Sequence, residues 1–218
     1  MRTRLVATSL ALLAGLAAAL PAVTAAAQSA GAWEIGPTVR GRNMSVGMPA
    51  APTPQRSGWS FDFPNPHPRA GHVHYVTAPT GPLDGKSRIV VRFRIDAAPG
   101  VRLAPRESPQ SPATLTLYFQ RRGDNWSARG RYEHYRWYAA HAHRVELSPG
   151  EHEISLPLDG RSWKSVQSAT GADAPAQFAD ALANAERVGF VFGGGLSAGH
   201  GVYATGPARF HLLSFRIV

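Results

Sequence analysis

The densest run of side chains able to do chemistry lies between Asp124 and His143. It combines aromatic rings with guanidinium, imidazole, amide and carboxylate groups. Rings stack on the apolar faces of sugars and directed polar groups bind their hydroxyls or carboxylates, so the mixture predicts a carbohydrate-binding site. The candidates for stacking are Trp126, Tyr132, Tyr135, Trp137 and Tyr138, and those for hydrogen bonding are Asn125, Arg131, His134 and Arg136. The arginines favour acidic sugars, because a guanidinium matches the geometry of a carboxylate.

Two other functions are compatible with the same residues. A polysaccharide lyase needs a base beside a uronate carboxylate, an acid for the leaving oxygen and a cation that neutralises the carboxylate. The candidates are His134 or His141 as the base, Tyr135 or Tyr138 as the acid, and Arg136 as the cation. A structural envelope domain without a small ligand would instead bury the rings of residues 126–138. Binding without cleavage is the preferred interpretation, and it assigns no catalytic residue.

Two His-x-His pairs suggest a metal site as a weaker alternative. His72 and His74 form one pair, and His141 and His143 form the other. On a strand this spacing places both imidazoles on one face, where they could bind zinc or copper. The spacing alone has little specificity, so binding of a metal is not the preferred interpretation.

Residues 195–199 match the G-x-S-x-G pattern of serine hydrolases. In those enzymes the serine lies on a turn between a strand and a helix. Here a strand is predicted before the motif, but a turn and a short strand follow it. We therefore interpret the glycines as tight backbone rather than as a nucleophile elbow.

The elements that must position these groups are predicted to be short antiparallel strands. Residues 87–96 mostly alternate, with Ile89, Val91 and Phe93 on one side and arginines on the other, as in a sheet with one buried face. Residues 145–158 read as a hairpin around a Ser-Pro-Gly-Glu turn, and a bulge is predicted between Leu212 and Leu213. One short helix is predicted over 174–187, with Asp173 as its cap. The fold class is therefore an all-β, antiparallel jelly-roll β-sandwich.

Several segments together resemble a known kind of module. They are residues 135–138, the predicted hairpin over 145–158, Trp163, residues 188–190 and residues 208–212. In strand order and aromatic placement they resemble the jelly-roll modules of the galactose-binding-like and carbohydrate-binding type. The resemblance implies a β-sandwich that binds glycans through exposed rings. Some of these modules hold a structural calcium ion, for which no residue here can be matched.

The N-terminus and the composition indicate where the protein works. Residues 1–27 have two arginines, an apolar run and small residues before Gln28, which predicts a secretory signal peptide cut after Ala27. The mature chain is then periplasmic or secreted, with a strand and Pro/Ala-rich loop over 28–55, one domain over 56–218 and no transmembrane segment. Losing the two arginines lowers the formal charge from +9 to +7, which favours an anionic partner such as an acidic polysaccharide. Nucleic acid is not expected as a partner, because the protein is predicted to be exported and has no Lys/Arg run of the recognition type. The absence of cysteine excludes disulfides, thiolate metal sites and a cysteine nucleophile.

Overall fold

The computed structural model describes residues 29–64, 69–195 and 197–218, so the predicted signal peptide lies outside the described residues. The strands are β1 (Glu34–Gly36), β2 (Thr38–Val39), β3 (Arg42–Asn43), β4 (Thr53–Pro54), β5 (Trp59–Asp62), β6 (Tyr75–Pro79), β7 (Arg88–Ala97), β8 (Leu103–Pro105), β9 (Ala113–Arg121), β10 (Arg136–Ala139), β11 (Val145–Glu146), β12 (Gly150–Pro157), β13 (Trp163–Ser165), β14 (Ala185–Gly194), β15 (Val202–Ala204) and β16 (Ala208–Ile217). The α-helix α1 spans Pro175–Ala183, and short 3-10 helices span Ala30–Ala32, Gly130–His134 and His141–His143. In these described ranges, no helix has both the length and the apolar character needed to cross a bilayer.

Two antiparallel sheets form the body of the fold. A seven-stranded sheet has the order β1-β6-β14-β9-β10-β13, with β11 also paired to β9. A five-stranded sheet has the order β12-β7-β16-β5-β4. The all-β sandwich predicted from the alternation of apolar and polar residues is confirmed.

Aromatic rings from both sheets fill the space between them. Phe190 of the seven-stranded sheet lies 6.0 Å from Trp59 and 5.3 Å from Phe210 of the five-stranded sheet, measured between ring centroids. Trp33 precedes β1 and lies 5.0 Å from Trp59, so the N-terminal segment contributes to the same core. Large buried rings contribute much of the burial that stabilises a domain without disulfides.

The clearest predicted strand and the predicted bulge are both confirmed. In β7, Ile89, Val91 and Phe93 are buried, while Arg92 points to solvent. The pairing of β16 with β7 shifts register between Leu212 and Ser214. An extra residue at this point lets the apolar side chains on both sides of the bulge face the core.

The predicted hairpin over 145–158 is wrong. Val145 in β11 pairs with Leu115 in the seven-stranded sheet, whereas Ile154 in β12 pairs with Val91 in the five-stranded sheet. The turn between them carries the chain from one sheet to the other. Each strand pairs with a partner distant in sequence, because this places Leu147 and Ile154 on opposite sides of the same core.

The predicted helix exists but is shorter than 174–187. It begins at Pro175 with Ala174 as its N-cap, and the Asp173 carboxylate accepts a hydrogen bond from the Thr170 hydroxyl at 2.6 Å instead of capping the helix. Phe178 and Leu182 are buried as expected. The helix ends early because the buried Ala185 pairs with Arg121 and starts β14.

Candidate functional site

Large polar and aromatic side chains occupy the outer face of the seven-stranded sheet. Successive residues of a strand point to opposite faces, so Tyr75, Tyr118 and Tyr138 point away from the core that their neighbours fill. Tyr118 pairs directly with Tyr138 across the strands, and Val191 pairs with Tyr75. Tyr118 and Val191 are nevertheless fully buried, so other parts of the chain must cover this face.

Two loops provide that cover. Trp126, from the loop between β9 and the 3-10 helix at 130–134, meets Tyr75 edge to face at 5.5 Å, and Ala198 from the loop after β14 packs against the same cluster. The backbone of Trp126 is left-handed, with a φ of 64°, which is unfavourable for a bulky residue. The Asn125 side chain supports this conformation by accepting a hydrogen bond from the backbone N–H of Ser127 at 3.0 Å.

A buried polar network lies beneath Trp126. The side chain of Asp124 is 0% exposed, and its Oδ2 lies 3.0 Å from Nε of Arg136, which is 8% exposed. Gln120 donates to Asp124 Oδ2 at 3.2 Å and accepts a hydrogen bond from the Tyr118 hydroxyl at 2.9 Å. Burial raises the pKa of Asp124, and the positive charge of Arg136 only partly offsets this effect. The guanidinium of Arg136 also lies 4.8 Å from the centre of the Trp126 ring, a cation–π contact that holds both groups.

Two tyrosine hydroxyls meet beside this network. The oxygens of Tyr75 and Tyr138 are 2.8 Å apart, within hydrogen-bond distance. Burial raises the pKa of both groups, and the charge of Arg136 acts against the increase at Tyr138. Both phenols are therefore protonated at neutral pH, and because one donates to the other, one O–H of the pair remains for a ligand.

A cleft of about 250 Å³ opens at these hydroxyls and has a cationic lining. The polar groups that line it include Tyr75, Arg136, Tyr138, Arg144, Lys164, Ser197 and His200. No carboxylate is present among the described residues of this lining. The cleft therefore offers positive charge and hydroxyl donors to an anion without a competing internal acid.

Arg144 is the clearest unsatisfied group in the cleft. Its Nη1 donates to the carbonyl oxygen of Gly195 at 2.9 Å, but its Nε is buried without a partner. Burial lowers the pKa of Arg144. Within the part of the chain that is described, neither Arg144 nor Lys164 forms an ion pair with a carboxylate, whereas Arg136 is paired with Asp124. In the described part of the chain no carboxylate neutralises Arg144, and an anionic ligand in the cleft could pair with its guanidinium.

An oriented imidazole forms part of the same lining. His200 donates from Nδ1 to Oε1 of Glu107 at 2.7 Å. This hydrogen bond lowers the pKa of Glu107, with a smaller contribution from the Ser197 side chain. Because Nδ1 is occupied, Nε2 is the ring nitrogen of His200 that remains for a ligand.

A second, smaller cavity lies on the other side of Tyr75. It measures about 120 Å³ and includes Trp126, Thr77 and Arg187 in its lining. Here the cation is already paired, because Arg187 Nη2 lies 2.9 Å from Glu34 Oε2 and its Nε donates to the Thr77 hydroxyl at 2.9 Å. The larger cleft is therefore the better anion site.

The structure brings three of the predicted binding residues to this face. Arg136 and Tyr138 line the cleft, and Trp126 lies beside them over the sheet. The alternation of β10 explains the first two, because Arg136 and Tyr138 share a face and their neighbour Trp137 points the other way.

The other predicted binding residues do not line the cleft. Trp137 is 0% exposed and packs in the core against Phe178 at 4.9 Å, so the prediction that it stacks on a sugar is wrong. Tyr132 and Tyr135 contact each other at 4.9 Å in and after the 3-10 helix at 130–134. Arg131 donates to the Tyr132 hydroxyl at 2.9 Å. Asn125 is an exposed loop residue bound to its own turn.

The histidines proposed as lyase bases are also elsewhere. His134 stacks on Trp137 at 6.0 Å, and His141 is exposed in a 3-10 helix. Neither lines the cleft that holds Arg136 and Tyr138, so the predicted combination of base, acid and cation is not assembled. The reason is the helical conformation at both positions, which replaces the extended strand that the prediction assumed.

The four histidines of the metal hypothesis do not form one site. His72 and His74 are buried neighbours with ring centroids 4.6 Å apart, while His141 and His143 are exposed in the 3-10 helix. Among the described residues, no group of three or more His, Asp or Glu side chains is placed to hold a metal ion. The hypothesis assumed that both pairs lie on strands, which the structure does not show for 141–143.

The G-x-S-x-G segment forms part of the cleft wall rather than a nucleophile elbow. The next regular element is the strand β15, so no helix follows the serine directly. The Ser197 side chain contributes to the lowered pKa of Glu107, and no hydrogen bond links it to His200 within the described part of the chain.

Sequence analysis missed Tyr75, Arg144, Lys164 and His200, which come from four separate segments. The alternation around Val76 could have placed Tyr75 on an outer face. Nothing in the local sequence distinguishes Arg144 or His200 from other surface cations and histidines, because tertiary folding alone brings them to one cleft.

Neither the models of known protein families nor the curated proteins gave a match to this chain. The function is therefore inferred from the chemistry of the cleft.

Proposed function

We propose that the protein binds an anionic carbohydrate in the cleft on the outer face of its seven-stranded sheet. The observation that carries this proposal is the pair of cations, Arg144 and Lys164, that lack a carboxylate partner in a cleft whose described lining contains none. A uronate carboxylate would pair with the guanidinium of Arg144 and the ammonium of Lys164. Export by the predicted signal peptide would bring the cleft into contact with cell-surface or environmental polysaccharides.

The remaining groups of the cleft suit the rest of a sugar ring. The hydroxyls of Tyr75 and Tyr138 and the side chain of Ser197 can exchange hydrogen bonds with sugar hydroxyls. Aromatic rings beside such groups favour the apolar face of a sugar. The resemblance to carbohydrate-binding jelly-roll modules supports the same function at the level of the fold only.

Titration calorimetry with alginate and polygalacturonate oligosaccharides tests this proposal. Arg144→Met removes the guanidinium but keeps an apolar stem, and we expect it to weaken binding by about 10- to 100-fold, the usual range for a lost charge-assisted hydrogen bond. Binding should also weaken as salt concentration rises.

Arg216→Met is the matched control, because Arg216 is exposed on the other sheet. It should bind like the wild type, and neutral dextran should bind to neither protein. Equal affinities of Arg144→Met and the wild type, or the absence of any preference for acidic over neutral glycans, would contradict the proposal.

A further inference from the structure

We propose that the same cleft cleaves uronate polysaccharides by β-elimination, with His200 as the base, Tyr138 as the acid and Arg144 as the cation that neutralises the substrate carboxylate. This inference rests on the proposed binding of an anionic carbohydrate and adds an activity to it. The three residues line one cleft, although they come from three separate segments of the chain. None of the four combinations of base, acid and cation suggested by the sequence includes His200 or Arg144.

The base is the best-positioned of the three groups. Glu107 accepts a hydrogen bond from Nδ1 of His200 at 2.7 Å, which fixes the tautomer that has its lone pair on Nε2. A carboxylate that orients a histidine in this way also stabilises the imidazolium formed after proton abstraction. Glu107 is thus a positioning residue, which acts on the substrate only through His200.

The acid is the phenol of Tyr138. Its oxygen lies 2.8 Å from that of Tyr75, and with Tyr75 as the donor the proton of Tyr138 is free for a ligand. The hydrogen bond from Tyr75 and the positive charge of Arg136 both favour the phenolate that remains after proton transfer. These two contacts partly offset the effect of burial, which raises the pKa of Tyr138.

The cation completes the set. A proton on the carbon next to a carboxylate is removed more easily when a positive group stabilises the enediolate that develops. Arg144 lines the cleft without a carboxylate partner in the described part of the chain, and Lys164 adds a second charge. Hydrolysis by a pair of carboxylates is not supported here, because the described lining of the cleft holds neither member of such a pair.

The reaction balances without an external oxidant or reductant. Nε2 of His200 takes the proton from C5 of a 4-linked uronate, the C4–C5 double bond forms, and the bond from C4 to the glycosidic oxygen breaks. Tyr138 gives its proton to the departing oxygen. The proton on His200 then returns to the Tyr138 phenolate through solvent, so both residues recover their starting states.

Incubation of the purified protein with alginate, polygalacturonate and hyaluronan tests the inference. We expect the ultraviolet absorbance of an unsaturated uronate to increase with at least one of them, and the new ends to be one water lighter by mass spectrometry than those of hydrolysis. His200→Ala and Tyr138→Phe should each lower kcat by about 100-fold or more, and His200→Ala should change the calorimetric affinity for the same glycan little. His141→Ala, at an exposed histidine outside the cleft, should keep full activity.

Glu107→Gln separates a positioning role from a structural one. It should lower kcat with little change in KM and alter the dependence of kcat on pH, which general loosening of the loop would not do.

Each remaining outcome is informative. Binding of an acidic glycan without any unsaturated product would overturn the elimination and leave the proposed binding function intact. Product formation that survives in both His200→Ala and Tyr138→Phe would overturn the assignment of these residues. A protein that neither binds nor cleaves any of these glycans would overturn both proposals.

Discussion

Replacing Asp124 with alanine is expected to lower the free energy of unfolding by about 3–5 kcal/mol, the usual cost of leaving one charge of a buried ion pair alone. The side chains of Asp124 and Arg136 are 0% and 8% exposed, and their nearest charged atoms are 3.0 Å apart. Removal of Asp124 also leaves the side-chain amide of Gln120 without its acceptor. Urea denaturation followed by tryptophan fluorescence measures the change.

Two further variants show whether the unpaired buried charge causes the loss of stability in Asp124→Ala. Asp124→Leu combined with Arg136→Met removes both charges, so we expect the double variant to be more stable than Asp124→Ala. Asp62→Ala removes a still shorter ion pair to Arg209, at 2.6 Å, but both of those side chains are at least half exposed. Solvent screens this pair, so its loss should have little effect. A similar loss of stability in Asp62→Ala and Asp124→Ala would contradict the explanation.

Acidification from pH 7 to pH 4 is expected to remove about 3 kcal/mol of stability through a single histidine, since each pKa unit corresponds to about 1.4 kcal/mol. Burial, together with the nearby positive charges of His72, Arg106 and His200, lowers the pKa of His74 from 6.5 to about 4. The Nδ1 of His74 donates to the carbonyl of Gly199 at 2.8 Å, and its Nε2 is buried without a partner.

The direction of the effect follows from proton binding. Between pH 6.5 and pH 4 the unfolded chain binds a proton at His74 and the folded protein does not, so stability rises with pH in this window. The stability that depends on a neutral His74 is complete above about pH 6.5 and is lost as the pH falls to about 4. The affected turn also carries His200, so unfolding of the turn would disturb the cleft.

His74→Asn tests this prediction, because an asparagine amide can still donate to the carbonyl of Gly199 but does not titrate. The difference in stability between pH 7 and pH 4, measured by urea denaturation at each pH, should be smaller in this variant by about the same 3 kcal/mol. His141→Asn controls for the loss of an exposed imidazole. If the stability of His74→Asn depends on pH as that of the wild type does, the buried imidazole does not cause the loss of stability in acid.

The strands could be predicted because their pattern is local. In β7 and β16 the apolar side chains repeat every second residue, and the break in the pattern after Leu212 marks the bulge. Pairing between strands was not predictable in the same way. The sequence over 145–158 has every local feature of a hairpin, yet β11 and β12 pair with β9 and β7 in different sheets.

The candidate site also shows that local patterns could be predicted from the sequence and long-range contacts could not. Alternation within β10 determined that Arg136 and Tyr138 share one face, but it could not show which face is the core. The burial of Trp137 at 0% exposure settles this point. Residues 130–134 and 141–143 adopt 3-10 helices, which removes His134, His141 and His143 from the positions that a strand would have given them.

The sequence by itself determined the all-β class, most strand positions, the approximate place of the helix and the excess of positive charge. These properties depend on neighbouring residues or on composition, so they can be read from the chain in order. Only the tertiary structure decided that Arg144 and Lys164 lack acidic partners in the part of the chain described, and that Glu107 orients His200 beside Tyr138. Those relations join residues that are tens of positions apart, and they arise from the pairing of strands and the folding of two loops over one sheet.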